Sequence, residues 1–460
     1  IVGILLARLL SPTEFGLIST ITVLILLSEV FVNSGLSQAI IRKQNCSQKD
    51  YSTVFFCNIS IGVLFFLILL LTAAPISVFF KNPELKPLIQ VLGVSLIISS
   101  LSLVQNAKLI KRIDFKLQTK ISLIASSISG IIAIILALLG FGVWSLVVKV
   151  LTSKSLKSIL LWYFNKWKPD FVFSRESFKE LFGFGSKLLL SGLIGTFLKN
   201  INYILIAKYF SPQDLGYYHQ AEMFKNLPSQ NVSGVVTSVG YPVLAKQQHD
   251  RVKMRKIFRE MFTKTCFIII ILMVGLASIA KSLIITLLGM QWAPSIVLLQ
   301  MLCCVGVMYP LNSMNVNILN VVGRSDLYLK VQMIVQAMAI PNLFIGIFFG
   351  IKALIVGMII ISILGYMIFN YQSNKFLNYS LKEQLKDISP SILMATIMGV
   401  IIFAIEMISE FNSLNTLIMQ LLSGMLYVMI YGEIFKMNEY MSIKKIMLSI
   451  IINNKNLIKK

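Results

Sequence analysis

The sequence predicts an all-α integral membrane protein of about fourteen transmembrane helices, built as two parallel six-helix repeats with two further helices after them. Three observations support this prediction. The chain of 460 residues is 56% hydrophobic and only 13% charged, which is too little polar surface to cover a globule in water. Apolar stretches long enough to cross a bilayer follow one another along nearly the whole chain. One short turn unit also occurs twice.

Apolar runs separated by short polar loops define the predicted spans. They cover residues 1–10, 17–40, 52–79, 88–106, 119–139, 142–163, 185–208, 216–244, 263–288, 293–321, 328–349, 352–371, 388–408 and 413–434. The chain opens on Ile1 inside an apolar segment, so we expect the first span to be truncated, with a cleaved signal peptide as the alternative.

The repeated turn unit reads LARLLSPTEFG at residues 6–16 and IAKYFSPQDLG at residues 206–216. The proline of each copy cannot continue a preceding helix, and the final glycine suits a sharp reversal. The alternative is that Ser-Pro-x-acid-x-Gly is simply a good short turn. The Ser-Gly pairs 34–35 and 233–234 also correspond, so we interpret spans one to six and seven to twelve as parallel repeats.

The repeat sets the predicted domains. They are an N-terminal lobe over 1–164, a cytoplasmic amphipathic linker over 165–184, a C-terminal lobe over 185–376, an appended helix pair over 388–435 and a basic cytoplasmic tail over 436–460. Ser177 and Glu180 have the spacing of a capping box, which predicts a short helix in the linker. The two lobes are expected to surround a central cavity.

Positive charge sets the predicted orientation. Lys and Arg outnumber Asp and Glu by 42 to 19, which would suggest a nucleic-acid partner in a soluble protein. In a membrane protein, positive charge collects in cytoplasmic loops instead. One set of alternate loops holds nearly all of it, with Lys154 counted there, while the other set holds only Lys81, Lys86 and Lys352. We therefore expect both chain ends in the cytoplasm, the turn units outside and no nucleic-acid partner.

Several short motifs resemble those of a known family. They are FGSKLLLS at 184–191, both turn units, YYHQA at 217–221 and NLP at 226–228. The chain resembles the polysaccharide transport family, the Wzx-type branch of the multidrug/oligosaccharidyl-lipid/polysaccharide exporter superfamily, over nearly its whole length. The resemblance implies a transporter and not an enzyme. Such flippases move an undecaprenyl-pyrophosphate-linked oligosaccharide of O-antigen, capsule or exopolysaccharide across the bacterial plasma membrane by alternating access. Membrane lipids and polysaccharide polymerase machinery are the expected partners.

Charged residues inside predicted spans are functional candidates, because burying an unpaired ion costs on the order of tens of kcal/mol in the Born limit. Arg8 and Lys208 occupy equivalent positions in the two turn units. They are predicted to form a cationic rim at the outer ends of spans one and seven. The alternative is that both side chains snorkel to the outer lipid headgroups.

A second group of candidates lies deeper. Span seven holds the polar cluster Lys199, Asn200 and Asn202. In span eight Glu222 and Lys225 are three residues apart and share a helix face. All five are predicted to line the path of the sugar and the pyrophosphate, with Glu222 paired to one of the lysines. The alternative is a structural ion pair between adjacent helices.

Glu29 is the deepest acidic residue, midway along the second span. Such a carboxylate is predicted to be protonated, to pair with a cation or to bind a coupling ion, and the sequence leaves H⁺ and Na⁺ both open. The five cysteines and two histidines have no metal-ligand spacing, and no Gly-rich phosphate loop occurs. We therefore expect neither a metal nor a cofactor.

Two other functions are alternatives. A cation-coupled multidrug exporter of the same superfamily would carry acids in its cavity, whereas cations outnumber acids in these spans. A membrane-embedded glycosyltransferase or polysaccharide polymerase needs an outward catalytic loop, and the predicted outer loops are too short for one.

Overall fold

The structure is a computed structural model that describes residues 2–408, 413–435, 439–441 and 444–445. Within these ranges the chain is helical and has no β-strand, as predicted. The α-helices are α1 (Val2–Leu9), α2 (Pro12–Asn33), α3 (Leu36–Arg42), α4 (Gln48–Phe79), α5 (Leu85–Lys111), α6 (Phe115–Leu138), α7 (Val143–Asn165), α8 (Arg175–Tyr209), α9 (Pro212–Val235), α10 (Tyr241–Ala245), α11 (Arg251–Ser278), α12 (Ala280–Leu287), α13 (Ser295–Val321), α14 (Ser325–Phe349), α15 (Ile351–Leu377), α16 (Leu381–Ile408) and α17 (Ser413–Ile434). Ile1 and most of the predicted basic tail, 436–460, lie outside the described residues.

In the described part of the chain, 11 helices are long and apolar enough to cross a membrane. The other three predicted spans correspond to α1, which has 8 residues, and to the more polar helices α7 and α9. α7 contains three lysines, and α9 contains Asp214, Glu222 and Lys225. The total of fourteen spans therefore stays a prediction. Polar helices in a membrane protein typically face its interior, so we expect functional residues on α7 and α9.

The helices form two compact units, residues 1–219 and 220–460. In the first unit α5 packs against α4 and α7, α2 packs against α5 and α8, and α1 packs against α6. Its core contains Ile21, Leu88 and Leu96, which are almost fully buried. In the second unit α13 packs against α11 and α15, while α16 packs against α11 and α17. The domain boundaries expected from the sequence stay predictions.

The second predicted span, 17–40, is not one helix. α2 and α3 are separated by Ser34 and Gly35, whose φ angles of 44° and 68° are left-handed. A Cβ atom at Gly35 would lie 2.2 Å from the carbonyl oxygen of Gly185 on α8, so a glycine is required for this close approach. The matching pair 233–234 stays helical at the end of α9, directly before a π-helical turn at Val236–Gly240.

An extended strap, residues 166–174, joins α7 to α8. Trp167 anchors the strap, since it is buried and its indole N–H donates to Gln48 Oε1 at 2.7 Å. The Trp167 carbonyl accepts a hydrogen bond from Gln105 Nε2 at 3.1 Å. Polar side chains of α4 and α5 thus satisfy the strap and hold it extended along the first unit.

The prediction of a separate short helix in the linker, capped by Ser177 and Glu180, is wrong. Ser174 is the N-cap, three residues earlier, and the helix that begins there continues unbroken as α8. Glu180 instead accepts a hydrogen bond from Lys43 at 2.8 Å, and this carboxylate raises the pKa of the Lys43 ammonium above its ordinary value. Ser177 and Glu180 therefore have the spacing of a capping box but do not cap the helix.

Candidate functional site

The two turn units contact each other reciprocally at the starts of α2 and α9. A Cβ atom at Gly16 would lie 1.7 Å from the carbonyl oxygen of Pro212, and one at Gly216 would lie 1.9 Å from the carbonyl oxygen of Pro12. Both glycines are helical and lack the positive φ of a reversal. The prediction that they serve a sharp reversal is therefore wrong. Their missing side chains allow two helix ends to pack closely, as small residues do in membrane helices.

Serine and carboxylate caps fix both of these helix starts. Ser11 Oγ accepts from the Glu14 N–H at 3.4 Å, and Glu14 Oε2 accepts from the Ser11 N–H at 2.6 Å. Ser211 and Asp214 make the same two bonds at 3.1 Å and 3.3 Å. The acidic residue that recurs in the turn unit thus satisfies free backbone N–H groups.

The two predicted rim cations lie in different surroundings. Lys208 donates to the carbonyl oxygen of Phe79, the last residue of α4, at 2.5 Å, and its ammonium lies 3.9 Å from the centre of the Phe79 ring. A cation is favoured at a helix C-terminus, so Lys208 stabilises the end of α4. Arg8 is exposed in the last turn of α1. The rim role stays a prediction for both residues.

Glu29 is paired with Lys154 across α2 and α7. Lys154 Nζ lies 2.5 Å from Glu29 Oε1. Ser99 on α5 donates to the same Glu29 oxygen at 3.1 Å, and Lys154 donates to Ser95 Oγ at 3.2 Å. Pairing with a cation, one of the states predicted for Glu29, is confirmed. Counting Lys154 among the loop cations was wrong, because Lys154 lies within α7. The predicted span 142–163 already contains it and was the signal that places it in a helix.

The polar cluster on α8 is accessible. Lys199 is exposed, while Asn200 and Asn202 are half-buried. Asn200 Nδ2 donates to the Thr196 carbonyl one turn earlier at 2.8 Å. Lys199 belongs to the first compact unit and Lys225 to the second, and their predicted joint action on a substrate stays a prediction.

Glu222 and Lys225 form a buried ion pair within α9. Lys225 Nζ lies 3.6 Å from Glu222 Oε1, and Lys225 is only 8% exposed. The Lys225 stem packs against α13, where a Cβ atom at Gly306 would lie 3.0 Å from it. Glu222 Oε2 is buried without a hydrogen-bond partner in the described part of the chain. The predicted pairing of Glu222 with a lysine is confirmed, whereas the role of both residues in substrate binding stays a prediction.

The second unit contains an apolar cavity of about 930 Å³. Its walls come from α9, α11, α12, α16 and α17 and include Phe267, Leu272 and Met398. Gln420 and Lys444 are among its few polar lining residues. A cavity of this composition suits a hydrocarbon chain better than a polar solute.

The fold is that of a multi-pass membrane transporter. The lipid II flippase MurJ in its inward closed conformation matches with a TM-score of 0.76 at 18% identity, over 95% of this chain and 96% of that chain. An inward-facing multidrug resistance MATE family transporter of the MOP superfamily matches with a TM-score of 0.65 at 17% identity, over 82% of this chain and 94% of that chain. At such identities the likeness establishes the fold alone.

The family follows from the sequence. The family model described as "Polysaccharide biosynthesis protein" matches residues 5–297, more than half of the chain. The chain therefore belongs to this family of polysaccharide biosynthesis proteins. The resemblance predicted from the turn units and their flanking motifs is confirmed.

Individual relatives agree with the family assignment. The teichuronic acid biosynthesis protein TuaB of Bacillus subtilis is 26% identical over 416 residues, covering 89% of this chain and 86% of TuaB. The succinoglycan biosynthesis transport protein ExoT of Rhizobium meliloti is 27% identical over 289 residues, covering 63% of this chain and 58% of ExoT. The lipopolysaccharide biosynthesis protein WzxC of Escherichia coli is 24% identical over 347 residues, covering 74% of this chain and 70% of WzxC.

Proposed function

We propose that the protein transfers an undecaprenyl-diphosphate-linked oligosaccharide from the inner to the outer leaflet of a bacterial plasma membrane by alternating access. The oligosaccharide is the repeat unit of a surface polysaccharide. The observation that carries the proposal is the family match over residues 5–297. The similarity to relatives named for teichuronic acid, succinoglycan and lipopolysaccharide biosynthesis supports it. Those names specify different polymers, so the proposal specifies the lipid diphosphate and leaves the glycan open.

A diphosphate needs cations and hydrogen-bond donors along its path, because hydrocarbon cannot solvate it. The chain offers such groups inside its predicted spans, where cations are otherwise rare. We assign Arg8 and Lys208 to the outer rim of the path. Its inner part is assigned to Lys199, Asn200, Asn202, Glu222 and Lys225. The excess of cations over acids favours an anionic cargo over a cationic drug.

The membrane potential favours the outward step. Moving one elementary charge through 100 mV is worth about 2.3 kcal/mol, so a head group of charge near −2 leaving a negative interior gains roughly 4–5 kcal/mol. Transport can therefore proceed without ATP. Counterflow of H⁺ or Na⁺ would add to this driving force, and Glu29 is the residue proposed to bind that ion.

The lipid chain needs an apolar surface while its head group moves. The apolar cavity of the second unit, at about 930 Å³, is proposed to hold part of the isoprenoid chain. We further propose that both ends of the chain lie in the cytoplasm. The protein is also proposed to contact the polymerase that uses the outer-leaflet product.

Deletion of the gene tests the function. We expect the lipid-linked oligosaccharide to accumulate in the inner leaflet and the surface polysaccharide to be lost. Expression of the wild-type protein should restore both. Normal surface polysaccharide in a clean deletion strain would contradict the proposal, and drug sensitivity as the sole phenotype would favour a multidrug exporter.

A further inference from the structure

The strap between α7 and α8 presents an exposed aromatic surface. Phe171 is 97% exposed, the largest exposed fraction of any large hydrophobic residue in the described part of the chain. Val172 and Phe173 beside it are also exposed. The Phe173 ring lies 5.9 Å from that of Phe178, which stacks on Phe182 at 5.1 Å, so the surface continues onto α8. Leaving these five side chains, the aromatic surface, in water is unfavourable.

Hydrogen bonds to α4 allow the strap backbone to lie away from water. The Asp170 N–H donates to Ser52 Oγ at 2.9 Å, and the Ser174 N–H donates to Thr53 Oγ1 at 3.0 Å. Both hydroxyl residues of α4 are fully buried. A backbone N–H in a membrane needs a protein partner, because hydrocarbon offers none. The strap is thus satisfied by protein on both sides of residues 171–173.

The position of Phe171 along α4 indicates its depth. Its ring lies 5.7 Å from the ring of Phe56. Phe56 lies eight residues after Gln48, the first residue of α4, which is about 12 Å along the helix at 1.5 Å per residue. α4 is long and apolar enough to cross a membrane. Phe171 therefore lies alongside a membrane helix rather than beyond its end, and its exposed ring faces lipid.

Cations flank the aromatic surface on both sides. They are Lys166, Lys168, Arg175 and Lys179, and the acids among them are Asp170 and Glu176. All four cations are exposed, and none forms an ion pair within the described part of the chain. Four cations against two acids leave an excess of positive charge. Long basic side chains lie along apolar surface and extend their charge to the level of lipid phosphates.

We propose that the strap and the first turns of α8 bind an anionic phospholipid of the adjacent leaflet, which is the inner leaflet in the predicted orientation. Its acyl chains contact the aromatic surface, and its phosphate contacts the flanking cations. The excess of positive charge selects an anionic head group over a zwitterionic one. This lipid is a resident of the membrane and not the transported cargo, so the inference does not depend on the proposed function.

A second loop of similar composition provides the matched control. Residues 112–116 read RIDFK, and Ile113 and Phe115 are exposed there. This loop connects Lys111, the last residue of α5, to Phe115, the first residue of α6. It therefore lies at the helix ends, whereas the strap lies alongside a helix. We expect the loop to bind lipid more weakly than the strap.

Native mass spectrometry of the full chain in detergent tests the binding. The probe is phosphatidylglycerol, and phosphatidylcholine with the same acyl chains is the control lipid. We expect the wild-type protein to bind the anionic lipid about fivefold or more tightly, since one Lys or Arg near an anionic surface contributes about this factor.

Substitutions locate the site. Lys168→Gln with Arg175→Gln should weaken the tightest binding of phosphatidylglycerol by about tenfold to thirtyfold, because two cations are lost. Arg112→Gln with Lys116→Gln removes the same charges from the control loop and should leave this binding unchanged. Phe171→Ser with Phe173→Ser keeps the cations and should weaken the binding of both lipids, since it removes the acyl-chain contact.

A fluorescence measurement tests the depth independently. Phe171→Trp in vesicles of phosphatidylglycerol and phosphatidylcholine adds a tryptophan, whose emission is taken as the difference from the wild-type protein. Lipids brominated on their acyl chains should quench this emission strongly. They should quench the emission of Phe115→Trp in the control loop less.

Four outcomes would overturn the proposal. They are equal affinity of the wild-type protein for both lipids, unchanged binding by the Lys168 and Arg175 variant, an equal loss in the control loop variant, and equal quenching at Phe171→Trp and Phe115→Trp. If the charge variants do not fold, the quenching measurement still decides whether the strap enters the leaflet.

Discussion

The two copies of the repeated segment agree at the turn and diverge farther along the chain. At the turn, each glycine packs against the proline of the other copy, and each serine and acid cap their helix alike. Beyond the turn, Glu29 on the helix that follows the first copy pairs with Lys154 of another helix, at 2.5 Å. Glu222, on the helix that follows the second copy, pairs with Lys225 of the same helix at 3.6 Å.

Accessibility separates the two ion pairs further. The side chains of Glu222 and Lys225 are 18% and 10% exposed, against 30% and 25% for Glu29 and Lys154. A buried pair is held because breaking it leaves an uncompensated charge. The comparison therefore predicts that breaking the second pair costs more stability than breaking the first.

The largest expected effect comes from breaking the buried pair. Lys225→Met leaves Glu222 without its cation and should destabilise the protein by about 3–5 kcal/mol, seen as a lower thermal transition and reduced yield in detergent. The double variant Glu222→Gln with Lys225→Met should recover most of the loss. An unchanged transition in Lys225→Met would show that the pair is dispensable and that Lys225 is free to bind substrate.

The turn contact should respond equally in both copies. Gly16→Ala and Gly216→Ala each place a Cβ within 2 Å of a backbone oxygen, at 1.7 Å and 1.9 Å, and should each cost about 1–3 kcal/mol of stability. Gly195→Ala is the control, because this helical glycine on α8 has nothing within 4 Å of its added Cβ. The thermal unfolding of all three variants is measured by size-exclusion chromatography after heating. Tolerance of both turn substitutions would contradict the close contact.

The Ser-Gly pairs should respond unequally. Gly35→Ala introduces a Cβ at a φ of 68° and 2.2 Å from the Gly185 oxygen, so we expect a loss of about 1–3 kcal/mol. Gly234 is helical with open space around it, so Gly234→Ala should be neutral or stabilising by up to about 1 kcal/mol. Equal effects in a thermal-shift assay would mean that the two positions are structurally equivalent after all.

The smallest expected effect is at Lys208. Lys208→Ala removes the cation from the end of α4 and from the face of Phe79, at a cost of roughly 0.5–1 kcal/mol of stability. If Lys208 also forms the outer rim, export in a complemented deletion strain should fall by more than this small change in stability explains. Lys208→Arg, which keeps the charge, should then restore export. Full export by Lys208→Ala would remove the residue from the path.

The sequence predicted the fold class, the family and the repeated turn unit, because hydropathy and local motifs are readable along the chain. It also located Glu29 and the Glu222–Lys225 pair, since helical spacing alone brings residues three apart together. The partner of Glu29 was missed because Lys154 is 125 residues away in sequence. The turn glycines were misread because a helix–helix contact across 200 residues has no local signal.

The most direct test of the central claim follows a lipid-linked oligosaccharide across the bilayer of proteoliposomes. The head group carries a fluorophore that a membrane-impermeant reductant destroys only in the outer leaflet. The account predicts that proteoliposomes with the wild-type protein expose nearly all of the label, whereas protein-free liposomes leave the inner-leaflet half protected. Protection of that half in the presence of folded wild-type protein would contradict the account.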